Sequence, residues 1–270
     1  MAGKRDFTAL YTAPDPRPYF TYFRSLEYGV VGAGARLFRR LVDELEETRA
    51  VADVCCSFGQ DAALLNHRVS EQELFDRWAD PDLARLDHDA LVAADRAWFA
   101  ERRRDDAVTV LGLDASVPAV EYGLAVGLLD GGRAGDPEAD PDVDLSVFAP
   151  VGGVVVTGGI GYVGERTFAR LLDHTTEVAP WVCGLVLRWV DLGPIARMLA
   201  ARGYDVQVGE RHPVVQRRLA DDDERAAMLA GLAALGRQPG ELEARGYHAA
   251  VPFLAVPPGR RVPSLDRLVS

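Results

Sequence analysis

The stretch Arg49–Asn66, RAVADVCCSFGQDAALLN, decides how this chain is read. Val51 to Cys55 is a short run of apolar, strand-forming residues carrying an acid at Asp53. It passes through Cys56-Ser57-Phe58-Gly59 into Asp61-Ala62-Ala63-Leu64-Leu65, whose spacing and residue types favour a helix. The pattern is strand, tight turn, helix. In an open α/β sheet such a turn lies beyond the carboxyl end of a strand, and the free N–H groups of the new helix face it, so it is the commonest place for a ligand. Gly59 has no Cβ, which lets the backbone approach a ligand closely or take a positive φ. The short side chains of Cys55 and Ser57 crowd the turn little.

Working outward, Ala107–Leu113, AVTVLGL, has the composition of a buried parallel strand; it ends in Asp114 and leads into a helix from Val117 through Leu129. A carboxylate at the tip of the strand beside the turn can accept both hydroxyl protons of a ribose. Val151–Ile160, VGGVVVTGGI, is the next strand, and it continues through Gly158, Gly159 and Gly161 to Tyr162 and a helix over Glu165–Leu172. Pro180–Trp189 is another strand, followed by a helix over Ile195–Ala201 closed by Gly203. Tyr204–Glu210 and Tyr247–Val256 supply two late strands around a helix at Ala226–Leu235, and Gln216-Arg217-Arg218 reads as exposed.

Before the first strand, YTAPDPR at Tyr11–Arg17 forces an extended entry, after which Pro18–Phe23 and Ala33–Glu46 carry helical periodicity. Two helices are therefore expected there. The aromatic cluster Tyr11, Tyr19, Phe20, Tyr22, Phe23 and Tyr28 belongs to this cap, and Tyr28 is the member best placed to meet a substrate. Between the first helix and the second strand, Asn66–Asp106 far exceeds the roughly 2 to 6 residues of an ordinary connection. It is an insertion, opened by a capping box at Ser70-Glu71-Gln72-Glu73 and continued by a helical stretch over Pro81–Arg104. It reads either as a lid or as a surface hairpin, and its His67 and His88 read as surface or core-edge residues. Gly131–Asp144, GGRAGDPEADPDVD, lacks the ligand spacing of a calcium loop and reads as a solvated loop without a metal.

Composition excludes several classes. The 41 acidic residues against 30 basic ones give a formal charge of −11, and Arg102-Arg103-Arg104 runs straight into Asp105-Asp106, so no nucleic-acid surface is expected. With 48% hydrophobic residues in 270, the chain has ample material for a core. Three cysteines, two of them adjacent, build neither a disulfide framework nor a spaced zinc site, which points to a reducing compartment. No signal-peptide pattern and no apolar run of about 18 residues is present, so the expected location is cytoplasmic. Lys4 is the only lysine, leaving Schiff-base chemistry without a candidate.

Asp53, Cys55, Ser57 and Gly59 match the spacing of an acid followed by three small residues at alternate positions in class I S-adenosylmethionine (SAM) methyltransferases. The three are usually glycine in that family, and two are replaced here. The runs DVCCSFGQDAALL (Asp53–Leu65) and TGGIGYVGERTF (Thr157–Phe168) further resemble a bacterial branch of the family, and the likeness covers about residues 47 to 257. The resemblance implies a Rossmann-like, seven-stranded methyltransferase sheet in a single domain over residues 1–270, with an N-terminal helical cap (1–46) and the helical insertion (67–106). It implies SAM as cofactor, with Asp53, Cys55, Ser57, Gly59, Asp61, Asp114, Ala115, Thr157 and Gly158 on the cofactor side and Tyr162 and Tyr28 as catalytic residues on the acceptor side. Gly59 and its neighbours would lie against the methionine part, Asp53 near its ammonium, and Asp114 on the ribose. A nicotinamide dehydrogenase, the rival on the same architecture, is disfavoured because Cys55 and Ser57 replace the glycines that admit a pyrophosphate.

The reaction implied is in-line methyl transfer to a small-molecule acceptor, which demands alignment and exclusion of water more than acid–base groups. No general base stands out, since His67, His88, His174, His212 and His248 all fall away from the strand ends assigned to the site. That absence also fits a SAM-consuming cyclase that forms azetidine-2-carboxylate and releases methylthioadenosine; an interaction protein on the same fold is the non-enzyme alternative. The expected partner is a small molecule, not a nucleic acid or a membrane, and a homodimer is allowed.

Overall fold

A computed structural model describes residues 7–45, 48–175 and 179–269. Lys4 and Glu46 lie outside the described residues. The strands are β1 (Ala50–Val54), β2 (Thr109–Asp114), β3 (Gly131–Ala134), β4 (Gly153–Thr157), β5 (Trp181–Leu187), β6 (Asp205–Val208), β7 (Val214–Arg218) and β8 (Tyr247–Val256). They form one sheet in the order β3-β2-β1-β4-β5-β8-β6, with β1 to β5 parallel and β8 antiparallel to both β5 and β6. Strand β7 also pairs with β8, using Tyr247–Ala250, whereas β6 uses Phe253–Val256. The two short strands thus lie end to end along one edge of the ten-residue β8. The expected seven-stranded Rossmann-like sheet is present as seven positions, the outermost shared by β6 and β7.

Alternation along each strand builds two layers. Val51 and Val155 face one side with Leu37, Phe38 and Leu41 of α3 (Val30–Glu44) and Ala62 and Ala63 of α4 (Gln60–Asn66). Ala52, Val54, Val154 and Val156 face the other, against Phe168 and Leu171 of α8 (Glu165–His174) and Ile195 and Leu199 of α9 (Gly193–Ala201). Between these lie α5 (Glu71–Trp78), α6 (His88–Ala100) and α7 (Val117–Ala125), with α10 (Asp222–Ala234), α11 (Glu241–Ala244) and α12 (Leu265–Val269) following.

Three expectations are corrected. Helices α1 (Thr8–Tyr11), α2 (Arg17–Arg24) and α3 precede β1, one more than the periodicity predicts, because a single turn of helix carries no readable period. The opening of Gly131–Asp144 is strand β3, held by backbone pairing to β2, although Gly-Gly-Arg-Ala has no apolar alternation. Gln216-Arg217-Arg218 lies within β7, with Arg217 buried.

The insertion begins with the predicted capping box: Glu73 N–H donates to Ser70 Oγ at 3.2 Å, and Ser70 N–H donates to Glu73 at 2.7 Å. It is fastened to the sheet layer through Asp95, which is fully buried on α6 and accepts from Arg77 Nε at 2.6 Å, Trp78 Nε1 at 2.9 Å and the Tyr122 hydroxyl of α7. Phe20 of the cap packs edge-on against Phe75 and tilted against Trp78, with ring centroids 4.8 and 4.3 Å apart. Arg17 Nη1 donates to the carbonyls of Leu83 and Leu86 at 3.0 and 2.9 Å. Removing Asp95 would strand two buried donors, on Trp78 and Tyr122, and the half-buried Arg77 at once. We expect Asp95→Ala to lower the free energy of unfolding by about 3 to 5 kcal/mol, measured by urea denaturation; a loss below about 1 kcal/mol would show that the insertion packs independently of this node.

Candidate active site

The strand order reverses between β1 and β4, since β2 and β3 extend to one side and β4 and β5 to the other. Loops at the carboxyl ends of these strands therefore diverge and leave a crevice. A cleft of about 490 Å³ opens there, within the range of small-molecule sites. Its floor comes from the ends of β1, β2 and β4 (Cys55, Leu113–Ser116 and Thr157–Gly159). One wall is Phe7, Thr8, Tyr11 and Thr12 of α1 with its flanks, and Tyr28 of the cap. The far end is Leu187, Trp189, Gln216, Arg217, Glu224 and His248.

The turn after β1 has an unusual backbone. Cys55 (φ 60°) and Ser57 (φ 49°) both lie in the left-handed region, as does Gly59 (φ 88°). The positions at which the resembled family carries glycine thus keep the conformation that glycine favours, although two have side chains. Asp114 holds this turn: Ser57 N–H donates to its Oδ2 at 2.9 Å, and Ser116 N–H donates to its Oδ1 at 2.9 Å. Burial raises the Asp114 pKa, and those backbone donors offset part of the rise.

Of the predicted residues, Cys55, Asp114, Ala115, Thr157 and Gly158 line the cleft, as do Tyr28 and Tyr162. Gly158 has φ 71°, and a Cβ there would meet nothing nearer than the Tyr28 hydroxyl at 3.8 Å, so the backbone is bare towards the cavity. Tyr162 stands at the mouth with 50% of its surface exposed. Burial raises the Tyr28 pKa, which keeps its hydroxyl protonated as a donor rather than a base.

Asp53, Ser57, Gly59 and Asp61 do not line the cleft; they lie buried behind its wall. Asp53 is 0% exposed, and neither carboxyl oxygen has a hydrogen-bond partner among the described residues. Burial holds its pKa well above the carboxylate range, with repulsion from Asp61 and Asp114 adding to the effect. Burial likewise pushes Asp61 up to about 7, opposed by Thr157 and reinforced by Glu71.

The far end of the cleft was not legible in the sequence. Arg217 Nη1 and Nη2 both donate to the carboxylate of Glu224, the first at 2.8 Å, and His248 Nε2 lies 3.5 Å from the same carboxylate. Trp189 Nε1 donates to His248 Nδ1 at 3.1 Å, placing the imidazole proton on Nε2. Burial alone would raise the Glu224 pKa, but Arg217, His248 and the Ala220 N–H hold it well below the usual range. The expectation that every histidine stands away from the site is therefore corrected for His248. Its two ring nitrogens face Trp189 and Glu224, so it braces the wall. The acid-rich loop is likewise ordered: Arg170 donates to the carbonyls of Pro137, Asp140, Pro141 and Val143 at 2.6 to 3.1 Å, and Gly135–Pro137 reach the cleft. Glu138 accepts the Gly164 and Thr167 N–H groups at 2.9 Å, which caps α8. Among the described residues, no group of side chains is arranged to hold a metal, and no helix is long and apolar enough to cross a membrane.

No family model matches the chain, and no curated protein matches it in sequence. Among solved structures it is similar to the plantazolicin methyltransferase BpumL in complex with SAH (S-adenosylhomocysteine), at 9% identity over 93% of each chain with a TM-score of 0.47. It is also similar to the precorrin-6y C5,15-methyltransferase of Geobacter metallireducens, at 8% identity over 85% of this chain and 98% of that one, TM-score 0.43. A third is the O-methyltransferase TomG of Streptomyces achromogenes in complex with SAM, at 13% identity over 95% and 92%, TM-score 0.37. These likenesses concern the fold, and the chemistry of the cleft rests on the chain's own residues.

Two outcomes follow from the turn and the acids behind it. Ser57→Gly removes both a left-handed side chain and a buried hydroxyl that has no partner among the described residues, so it should raise the unfolding free energy by about 1 kcal/mol in urea, whereas Ser57→Ala, which keeps the strain, should gain less. Asp61 binds its proton more tightly folded than unfolded, so stability should fall as pH rises from about 4, its unfolded value, to about 7. Asp61→Asn should flatten that decline, read as the pH dependence of the urea midpoint, and an unchanged profile would place the titration elsewhere.

Proposed function

We propose that the chain is a SAM-dependent methyltransferase that transfers the methyl group in line to a small-molecule acceptor. The observation that carries this reading is the left-handed turn at Cys55, Ser57 and Gly59, bound to Asp114 and opening on a cleft where the strand order reverses. The residues present suit the cofactor. Asp114 lines the cleft with a carboxylate that can accept from ribose hydroxyls, and Gly158 leaves room beside Cys55 for the amino-acid part. Bound SAM supplies an electrophilic methyl group on a sulfonium.

The chain's own groups then orient and shield. Tyr28 and Tyr11 present rings to the cavity, a favourable surface for a cation. The α1 wall is fixed over the cleft by Ser116 Oγ, which donates to the Tyr11 carbonyl at 2.6 Å and so keeps water from that side. Tyr162 at the mouth flanks the path by which an acceptor enters. Asp53, Ser57, Gly59 and Asp61 act from behind the wall by shaping the turn, and Asp53, whose charged form burial disfavours, leaves the cation's charge to Asp114. Cap, insertion and sheet work as a single SAM-binding domain, consistent with a cytoplasmic enzyme of small molecules.

Asp114→Asn should weaken SAM binding by about 1.5 to 3 kcal/mol in isothermal titration, because it replaces a charge-assisted acceptor and turns an amide towards the Ser57 or Ser116 N–H. Absence of SAM binding by the unaltered protein would overturn the reading. Incubation with SAM and no acceptor should leave it unchanged by mass spectrometry, and methylthioadenosine above the non-enzymatic background would replace methyl transfer by cyclisation.

A further inference from the structure

Four aromatic side chains that keep part of their surface open line the cleft: Tyr11 and Tyr28 from the cap, Tyr162 after β4 and Trp189 after β5. Tyr162 is the most open of them, carried at the mouth on a tight turn in which its N–H donates to the Gly159 carbonyl at 2.9 Å. The three tyrosines lie close together: burial raises the Tyr11 pKa, and the charges that Tyr28 and Tyr162 would carry on ionising raise it further. Burial raises that of Tyr28 as well, so both stay neutral phenols, and the electron-rich face of such a ring attracts a cation.

Where the cleft is open, its charge has one sign. Among the described residues that line it, the basic ones are Arg217 and His248, only 5% and 1% exposed. Arg217 is committed to the Glu224 carboxylate, and His248 accepts from Trp189 at Nδ1 and faces that same carboxylate through Nε2. The acidic residues with open surface are the half-buried Asp114 and the exposed Asp136, and the whole chain carries −11. A carboxylate, thiolate or phenolate acceptor would enter against this field and find no open cation among the described residues. A hydroxyl acceptor must lose a proton on methylation, and the imidazole in the lining has both nitrogens engaged. An uncharged nitrogen with no proton to lose meets neither obstacle.

Resting on the methyl-transfer reading, we propose that the acceptor is an uncharged nitrogen compound, a heterocycle with a pyridine-type ring nitrogen or a tertiary amine too weakly basic to be protonated at neutral pH, which leaves as a quaternary cation held by Tyr11, Tyr28, Tyr162 and Trp189. The nitrogen lone pair forms the new N–CH3 bond while the S–CH3 bond breaks and its electron pair stays on sulfur. No proton is released, and the positive charge passes from sulfur to nitrogen. The reacting pair thus carries one positive charge from start to finish, which a cleft of aromatic rings and open carboxyl groups supports at every stage. Tyr162, at the mouth, is the ring on the acceptor's side.

The test is calorimetric titration of the full chain, with and without saturating S-adenosylhomocysteine, using N-methylquinolinium, its neutral isostere 1-methylnaphthalene and the anionic 1-naphthoate. S-adenosylhomocysteine has no sulfonium, so a preference for the cation in its presence belongs to the acceptor side. N-methylquinolinium should then bind about ten-fold more tightly than the isostere, the scale of one desolvated cation–π contact, and naphthoate should bind more weakly than either. Tyr162→Leu should lower the preference for the cation about three-fold and Tyr162→Phe, which keeps the ring, should retain it. S-adenosylhomocysteine affinity should be the same in both variants, which also reports that they fold. The isostere or naphthoate binding as tightly as the cation, or a preference unchanged in Tyr162→Leu, overturns the proposal. If S-adenosylhomocysteine binds but none of the three probes does, the nitrogen acceptor falls and the cofactor reading stands; if the cation preference and its reduction in Tyr162→Leu are seen without S-adenosylhomocysteine binding, the cofactor reading falls and the cation site stands.

Discussion

The carboxylate of Asp114 joins the ends of two neighbouring parallel strands, and the geometry of the cleft depends on that joint. Ser57 N–H and Ser116 N–H each lie 2.9 Å from one of its oxygens, so the turn after β1 and the turn after β2 are held in a common frame. The joint has a strained partner. Cys55 and Ser57 stay in the left-handed region at a cost of about 1 to 2 kcal/mol each, which persists only where surrounding contacts over-determine it. The Asp114 bond to the Ser57 amide is one such contact, and burial of Cys56 and Phe58 in the layer beneath is another.

The floor of the cleft is electrostatically graded. Asp114, at its surface, is stabilised by backbone donors, whereas Asp53, one strand over and fully enclosed, has none among the described residues. Two neighbouring carboxylates in a poorly solvated region repel each other, and the deeper burial of Asp53 disfavours its charged form more than that of Asp114, which backbone donors support. Asp114 is thereby the carboxyl directed at the cavity, while Asp53 and Asp61 sit behind it.

The cap and insertion act on the cleft through packing. The aromatic contacts of Phe20 with Phe75 and Trp78, and the Arg17 bonds to the insertion's carbonyls, fasten α2 to the helices beyond it. The cap in turn carries Tyr28 and the wall from Phe7 to Thr12. Among the described residues, none from 67 to 106 lines the cavity. The insertion's influence therefore passes through α2 and through the Asp95 node to α7, the helix that begins just past Asp114.

Local patterns in the sequence determined much of this protein: apolar runs ending in Asp114 and Thr157, the turn from Cys55 to Gly59, and the Ser70 capping box all depend on near neighbours in the chain. Strand β8 was legible residue for residue because it is ten residues long and apolar almost throughout. What only the tertiary structure decided are features whose partners are remote in sequence. Strand β3 exists because β2 offers a backbone edge, and β7 exists because β8 is long enough to pair with two strands on one side. Arg217 looked solvent-facing since its neighbours are polar, yet Glu224 from α10 and His248 from β8 converge on it and compensate its buried charge. The positive φ of Ser57 was likewise hidden, because serine does not favour it and Asp114, fifty-seven residues away, imposes it. Short-range periodicity sets which element forms; desolvation and pairing between distant elements set which side chains face the cleft.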